Sequence, residues 1–402
     1  MTPVAARRTA LFLLFFITGV LLSSWVTRTP DVRDLLAAST TEMGLVLFGL
    51  SVGSMIGVLG SGGFVSRYGA RPVITVGISG VLLGVPVIGL GAHLSLSLLV
   101  AAGLFLCGFG IGCGEVAMNV DGADVERVTE RIVLPTLHGF YSLGTVLGAA
   151  AGALLTLAGL PVVWHLVVVS VLAAPVAFFS VRRLPWGVGR QTRPAPGAEA
   201  GGAPAPKLWR QPVLLLIGGI VLALALAEGS ANDWLPLIMV DGHGLDPAVG
   251  SGVYLGFNIA MAAGRFAGGW LLARLSRAVV LGGSAVVGGV GLTLVIVADN
   301  PVVAGAAVLL WGAGAALGFP VALSAAGDSG PNATARVSIV ATAGYVAFLV
   351  GPPALGFLGD HYGLRGAMIL VLAMLGVAAI LTLPLRTRLR PPADDKTAVV
   401  AR

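Results

Sequence analysis

Apolar residues run through this chain in blocks of about twenty, and the polar residues collect between the blocks rather than alternating within them. Inside a block the apolar character goes all round a helical projection, which suits a helix bathed in lipid better than one with a single face on a core. A helix needs roughly 20 such residues to cross ~30 Å of hydrocarbon. Twelve blocks qualify, at about 9–26, 43–66, 73–92, 96–120, 134–158, 162–181, 212–236, 248–273, 279–298, 301–325, 337–359 and 366–385. The pattern therefore predicts an all-α membrane protein with 12 transmembrane helices.

Composition agrees. Lys, Arg, Asp and Glu make up 10% of the 402 residues, against about 25% in soluble proteins, too few charges to clothe a soluble surface. Cys107 and Cys113 share one apolar block and fit neither a disulfide framework nor zinc-ligand spacing. No nucleophile–base, zinc-protease or phosphate-loop constellation is present, so no catalytic residue, metal or cofactor is expected. The glycines of 108–114 imitate a dinucleotide-binding loop, yet no strand precedes them, and close helix packing is the better account.

The connections sort the basic residues. With the N-terminus inside, 20 of the 24 Lys and Arg fall in inside segments, and only Arg28, Arg33 and Arg365 fall outside, with Arg265 within a span. The excess of positive loops predicts both termini in the cytoplasm of a bacterial-type inner membrane. It also accounts for the net charge of +6 without nucleic acid as a partner. The first block, preceded by Arg7 and Arg8, reads as an uncleaved helix because no small-x-small cleavage site follows it.

Proline, glycine and basic residues fill 182–211 and mark a cytoplasmic linker. It divides the chain into a six-helix bundle over 1–181 and a second over 212–385, with a tail at 386–402. The halves echo one another: an offset of 206 carries Gly44 to Gly250, Met55 to Met261, Arg71 to Arg277 and Gly108 to Gly314, and an offset of 204 pairs Tyr141 with Tyr345. Two bundles of equal topology are parallel repeats about an axis along the membrane normal, with a cavity between them that rocking exposes to either side.

The connection Gly62-Gly63-Phe64-Val65-Ser66-Arg67-Tyr68-Gly69-Ala70-Arg71 resembles the signature loop of the major facilitator superfamily, a glycine-initiated turn followed by charged residues. Ser66 stands where that family carries aspartate. Two further stretches, Glu115 to Asn119 continuing to His138, and Glu228-Gly229 with Asn232-Asp233-Trp234, resemble the MosC/YbjJ-like branch of the superfamily. The resemblance implies that Gly62, Arg67, Gly69 and Arg71 belong to a gate loop. It also implies that the first, fourth, seventh and tenth spans line the cavity. Leu104 and Ala149 replace the arginine and proline of many proton-coupled relatives and antiporters.

Ionisable side chains deep in a span cost ~2.5–3.5 kcal/mol on insertion scales, so each is a functional candidate. Glu228 lies ~24 Å along the seventh span at 1.5 Å per residue, with Asn232 one turn further and Asp233 nearer the outer end. Glu115 and Asn119 share a face of the fourth span. Proton or substrate coupling is assigned to Glu228, Glu115 and Asp233. Arg265 is expected to pair with Glu115 or with the His138 region and so to close an inner gate. Asn119, Asn232, Tyr141, Asn258, Trp311 and Tyr345 are candidate cavity residues. Trp25 and Trp234 read as interface anchors, and His165 as solvated. The function expected is alternating-access transport of a small molecule by a monomer in the lipid bilayer, as proton-driven export, with uptake of a sugar-like or polyol-like compound as the alternative.

Overall fold

The computed structural model describes residues 3–130, 133–190, 208–330 and 332–388. Most of the expected linker (191–207) and of the tail (389–402) lie outside the described residues. Helix follows helix along the chain: α1 (Pro3–Val26), α2 (Thr29–Leu36), α3 (Thr40–Tyr68), α4 (Ala70–His93), α5 (Ser97–Thr129), α6 (Leu134–Leu157) and α7 (Val162–Arg182). After the linker come α8 (Pro212–Leu237), α9 (Pro247–Leu272), α10 (Arg277–Val297), α11 (Pro301–Ala315), α12 (Gly318–Asp328) and α13 (Ala333–Arg388). All twelve expected spans fall in helix. The tenth is interrupted between α11 and α12, and α13 holds the last two, broken at Gly363.

Among the described residues, ten stretches are apolar and long enough to cross a membrane, with α13 counted once. The span left out is α9, whose Asn258, Arg265 and glycines lower its hydropathy. It is also the span that carries the site described below.

Local chemistry sets where these helices begin. The Ser39 hydroxyl accepts from the Glu42 amide while the Glu42 carboxylate accepts from the Ser39 amide, a reciprocal cap on α3. Asp246 and Asn300 cap α9 and α11, each followed by a proline in the first turn, where its missing N–H costs nothing. Two chain reversals use a single glycine in left-handed backbone, Gly69 (φ 87°) and Gly363 (φ 73°). The turn of the signature loop is thus at Gly69. Gly62 lies within α3, which runs unbroken to Tyr68, because nothing at Gly62 interrupts the α3 hydrogen-bond ladder.

The glycines of α5 work by close packing. Gly108 and Gly112 face α3, and Gly110 and Gly114 face α4. A Cβ on Gly112 would lie 2.5 Å from the Ser54 carbonyl oxygen, and one on Gly77 2.7 Å from that of Gly110. Backbones in such contact gain dispersion and leave no room for a side chain.

Helices α1–α7 pack mainly on one another, as do α8–α13; the main contacts across are α6 on α9 and α3 on α13. The end of the molecule where α1 starts is rich in arginine and is called the basic end; the other is the far end. The far end carries one element absent from the twelve-block pattern. Helix α2 packs on α4 and α8, with Thr29, Pro30 and Val32 buried. Trp25 and Trp234 are also fully buried, inside the protein rather than at a lipid interface. His165 is buried too and accepts a 3.0 Å hydrogen bond from Arg28.

Candidate functional site

Arg265 of α9 lies at mid-depth between the two groups of helices. One of its terminal nitrogens is 2.9 Å from the Glu228 carboxylate of α8, with both side chains less than a quarter exposed. The other donates to the Ser142 hydroxyl of α6 across the interface at 3.1 Å. The expectation was a pairing of Arg265 with Glu115 or with the His138 region; Glu115 is not its partner, while the contact with Ser142 falls one turn from His138. The ionic partner of Arg265 comes from the adjacent helix of its own group, because a side chain on α9 reaches α8 more directly than the far wall. The link across the interface is to a neutral hydroxyl.

Glu115 remains part of the same field. It lies within electrostatic reach of His138, Tyr141, Glu228 and Tyr345. His138 is half-buried with its ring edge-on to Phe15 at 5.2 Å, and it also feels Arg265. One turn from Glu115, the Asn119 side-chain oxygen is buried without a hydrogen-bond partner among the described residues. Tyr141 and Tyr345 are half-buried, the latter edge-on to Phe319 at 6.3 Å.

Toward the far end a second polar layer joins α8 to α9. The Tyr254 hydroxyl donates to the Asn232 side-chain oxygen at 3.1 Å. The Asn258 amide donates to the Tyr254 carbonyl at 2.9 Å, and its own oxygen is buried and unpartnered among the described residues. Asp233 is half-buried, its carboxylate within electrostatic reach of Tyr254, and has no hydrogen bond or ion pair among the described residues. Trp311 stands apart. It is fully buried in the α8–α13 group, its indole N–H on the Ala227 carbonyl (3.2 Å) and its ring against Phe257.

The far end is shut by contacts between the groups. Arg33 of α2 pairs with Asp241. The Ser251 hydroxyl donates to the Thr27 carbonyl at 2.8 Å, and the Thr40 amide to Asp360 at 3.0 Å. Burial works against the Arg33 cation, but the hydrogen bond and charge of Asp241, aided by Asp34, outweigh it and raise its pKa. On α3 and α13 the backbones touch: a Cβ on Gly44 would lie 2.8 Å from the Pro352 carbonyl oxygen and 3.0 Å from Gly356 Cα. Nearer mid-depth the Ser51 hydroxyl donates to the Phe348 carbonyl at 2.7 Å.

The gate-loop residues gather at the basic end, away from Arg265. The Arg71 guanidinium donates to the Leu184 carbonyl at 3.0 Å and stacks on Trp186 at 4.4 Å, and Arg67 lies over Tyr68. Sequence reasoning missed Tyr254, Ser142 and the pairing of Arg7 with Asp121 and Asp124 (2.7 and 2.8 Å). Asp121 sits one turn and a half past Glu115 on a helix that extends nine residues beyond its apolar block, and that extension was the available signal.

Residues 136–341, just over half of the chain, match the family model described as Major Facilitator Superfamily. The chain belongs to the major facilitator superfamily. Full-length relatives agree with this placement. An uncharacterized MFS-type transporter of Yersinia pestis is 28% identical over 94% of this chain and 95% of its own length. The membrane protein MosC of Rhizobium meliloti is 26% identical over 91% of this chain and 87% of its own. Among solved structures, a mutant of the nucleoside transporter NupG superposes with a TM-score of 0.75 at 15% identity, covering 96% of this chain and 100% of that one. The Escherichia coli fucose:proton symporter FucP gives 0.65 at 19% identity, covering 96% and 98%. These likenesses establish a superfamily transporter fold and a multi-pass membrane protein.

Proposed function

We propose that this superfamily member is a proton-coupled secondary transporter of a small polar, hydroxyl-bearing solute, working by alternating access between two six-helix bundles. The observation that carries the reading is the Arg265 guanidinium, shared between Glu228 of its own bundle and Ser142 of the other. While Glu228 is ionised it holds Arg265 within the second bundle. A proton on Glu228 removes that ionic partner, and the guanidinium then turns toward Ser142 and Glu115 of the first bundle, a carboxylate with no ion pair among the described residues. Proton binding thus changes which bundle holds the cation, and so biases the rocking equilibrium by a difference in contacts between the two states.

The groups around the pair are amides and phenols: Asn119, Tyr141, Asn232, Tyr254, Asn258 and Tyr345. A lining of this kind rewards a solute that can fill its hydrogen-bonding capacity and rejects one that leaves it unmet. This supports the sugar-like or polyol-like alternative over general export. Asp233, unpaired among the described residues, is the second carboxylate of the coupling set, and both chain termini are assigned to the cytoplasm by the bias of the loop charges.

Purified protein reconstituted in liposomes tests the proposal. Sugars, cyclitols, nucleosides and apolar drugs are screened for thermal stabilisation at acidic and neutral pH, and hits are then followed as flux under an imposed pH gradient. The expected result is a polar solute accumulated in response to the gradient, with Glu228→Gln retaining exchange of that solute while losing accumulation. Accumulation that survives in Glu228→Gln contradicts the coupling assignment, and stabilisation by apolar compounds alone contradicts the solute class.

A further inference from the structure

Charge is unevenly partnered at the basic end. Around α5 two cations meet acids: Arg7 pairs with Asp121 and Asp124, and Arg127 with Asp124. Glu126 caps the Val133 and Leu134 amides at 2.6 and 2.9 Å, leaving only the exposed Glu130 at the end of that helix. In the other bundle Arg277 pairs with Asp328 at 2.5 Å. The α3–α4 junction and the segment after α7 differ. Arg67, Arg71, Arg182, Arg183 and Arg190 form no ion pair among the described residues, and no Asp or Glu occurs in 43–114 or 133–190.

These arginines are organised by the backbone. After α7 the chain folds across the α3–α4 junction, where the Ala70 amide donates to the Val188 carbonyl at 2.8 Å and Gly189 reaches Val120 of α5. Gly187 and Gly189 take left-handed backbone (φ 81° and 73°) that lets the segment turn there. The segment fixes Leu184 and Trp186 on either side of the Arg71 guanidinium. One of the five N–H donors of Arg71 is used by Leu184, and the others have no hydrogen-bond acceptor among the described residues. Arg182 stacks on Phe178 at 4.4 Å. Trp186, Phe178 and Tyr68 are more than half exposed beside these cations, the mixture of aromatic rings and arginine that suits the boundary between headgroups and hydrocarbon.

We propose that this surface, built from Arg71, Arg183 and Arg182 with Trp186 and the α7 extension, is a binding site for the phosphate headgroup of an anionic phospholipid. Guanidinium matches phosphate in two-point geometry. No carboxylate of the described residues pairs with these arginines, so among them the positive charge is left uncompensated. The phospholipid's acyl chains lie along the exposed apolar surface of α7, where Val171, Leu172 and Phe179 face outward. The lipid bridges the α3–α4 junction and the α7 extension at the point where α4 packs on α7.

The test uses the full-length protein in detergent micelles, titrated with phosphatidylglycerol, phosphatidylcholine or inorganic phosphate, with bound lipid counted by native mass spectrometry and thermal midpoint read in parallel. Phosphatidylglycerol is expected to bind and stabilise where phosphatidylcholine does not, with an affinity that falls as salt rises and does not change with pH, since guanidinium stays charged. Arg71→Gln with Arg183→Gln should weaken it about 30-fold, from about 1 kcal/mol per arginine near an anionic surface. The exposed Arg182→Gln alone should weaken it about 5-fold, and it guards against misfolding of the double variant. Arg274→Gln, a lone arginine stacked on Trp270 in the other bundle, should leave the affinity unchanged. Equal binding of the two lipids overturns the site, as does a phosphatidylglycerol preference that both arginine variants retain. Inorganic phosphate that competes fully at equal concentration overturns the lipid assignment in favour of a free-anion site.

Discussion

Two seams join the α1–α7 and α8–α13 groups, and they are built from opposite materials. Between α3 and α13 the contact is backbone against backbone at Gly44, Pro352 and Gly356, with the one carboxylate of this seam, Asp360, a turn away on the Thr40 amide. Between α6 and α9 the contact is a guanidinium on a hydroxyl, the guanidinium being held from behind by the Glu228 carboxylate of α8. A glycine contact responds to shape alone, so it can bear a rocking motion without reporting on protons. A shared guanidinium responds to ionisation, so its seam is where chemistry can enter. Bearing and switch are thus separated onto different helix pairs.

That contrast can be broken from either side. Removing the cation should have the largest effect: Arg265→Gln leaves Glu228 desolvated without its partner, worth up to ~3–5 kcal/mol for a fully buried pair. Transport should fall below detection and the thermal midpoint should drop. Glu228→Gln with Arg265→Gln should recover part of the midpoint and none of the coupling. Wedging the bearing comes next. Gly44→Leu forces a side chain into the Pro352 backbone at a cost of ~1–3 kcal/mol in the far-end-closed state. A cysteine placed at Ser51 should then become several-fold more reactive to a water-soluble thiol reagent, against a low background because Cys107 and Cys113 are buried.

A smaller effect is expected from Ser142→Ala, which removes one hydrogen bond to Arg265, net ~0.5–1.5 kcal/mol. It should slow flux about 2- to 10-fold, with a greater loss at neutral than at acidic pH if Glu115 then competes for the guanidinium. The smallest should come from Arg33→Gln. This pair is partly exposed at the far end, worth ~0.2–1 kcal/mol, and a modest rise in Ser51→Cys labelling is the measure.

Much of this architecture was legible in the sequence, for a physical reason. A hydrocarbon solvent permits little besides helices of a set length, so apolar block length alone gave the spans. Isolated charges within such blocks were equally visible: Arg265 pairs with Glu228, and Glu115 lies within electrostatic reach of that carboxylate. Their pairing was not visible. Arg265 reaches Glu228 or Glu115 according to how α8, α9 and α5 are rotated, and apolar blocks with no polar face leave rotation unmarked. Tyr254 escaped notice because an aromatic residue in a glycine-rich span looks like packing until Asn232 is set opposite it. Trp25 and Trp234 misled because tryptophan near a span end usually marks an interface. Here the short α2, which lies between the first two apolar blocks, folds back onto α8.

The glycine pattern was read at the right level. Gly108, Gly110, Gly112 and Gly114 serve two neighbours from alternate faces of one helix, which spacing suggests and coordinates resolve. In the stretch that resembles the signature loop the chain does not turn at its first glycines, since α3 continues through Gly62 and Gly63 and reverses only at Gly69. Helix-breaking residues show where a chain is able to turn; packing against the α7 extension decides where it does.

The central claim is that Glu228 takes up the transported proton while paired with Arg265, and pH-difference infrared spectroscopy of the reconstituted protein tests it without a known solute. Acidification should raise a protonated-carboxyl band that is missing in Glu228→Gln and displaced in Arg265→Gln. The same band appearing unchanged in Glu228→Gln would contradict the account and move the proton to Glu115 or Asp233.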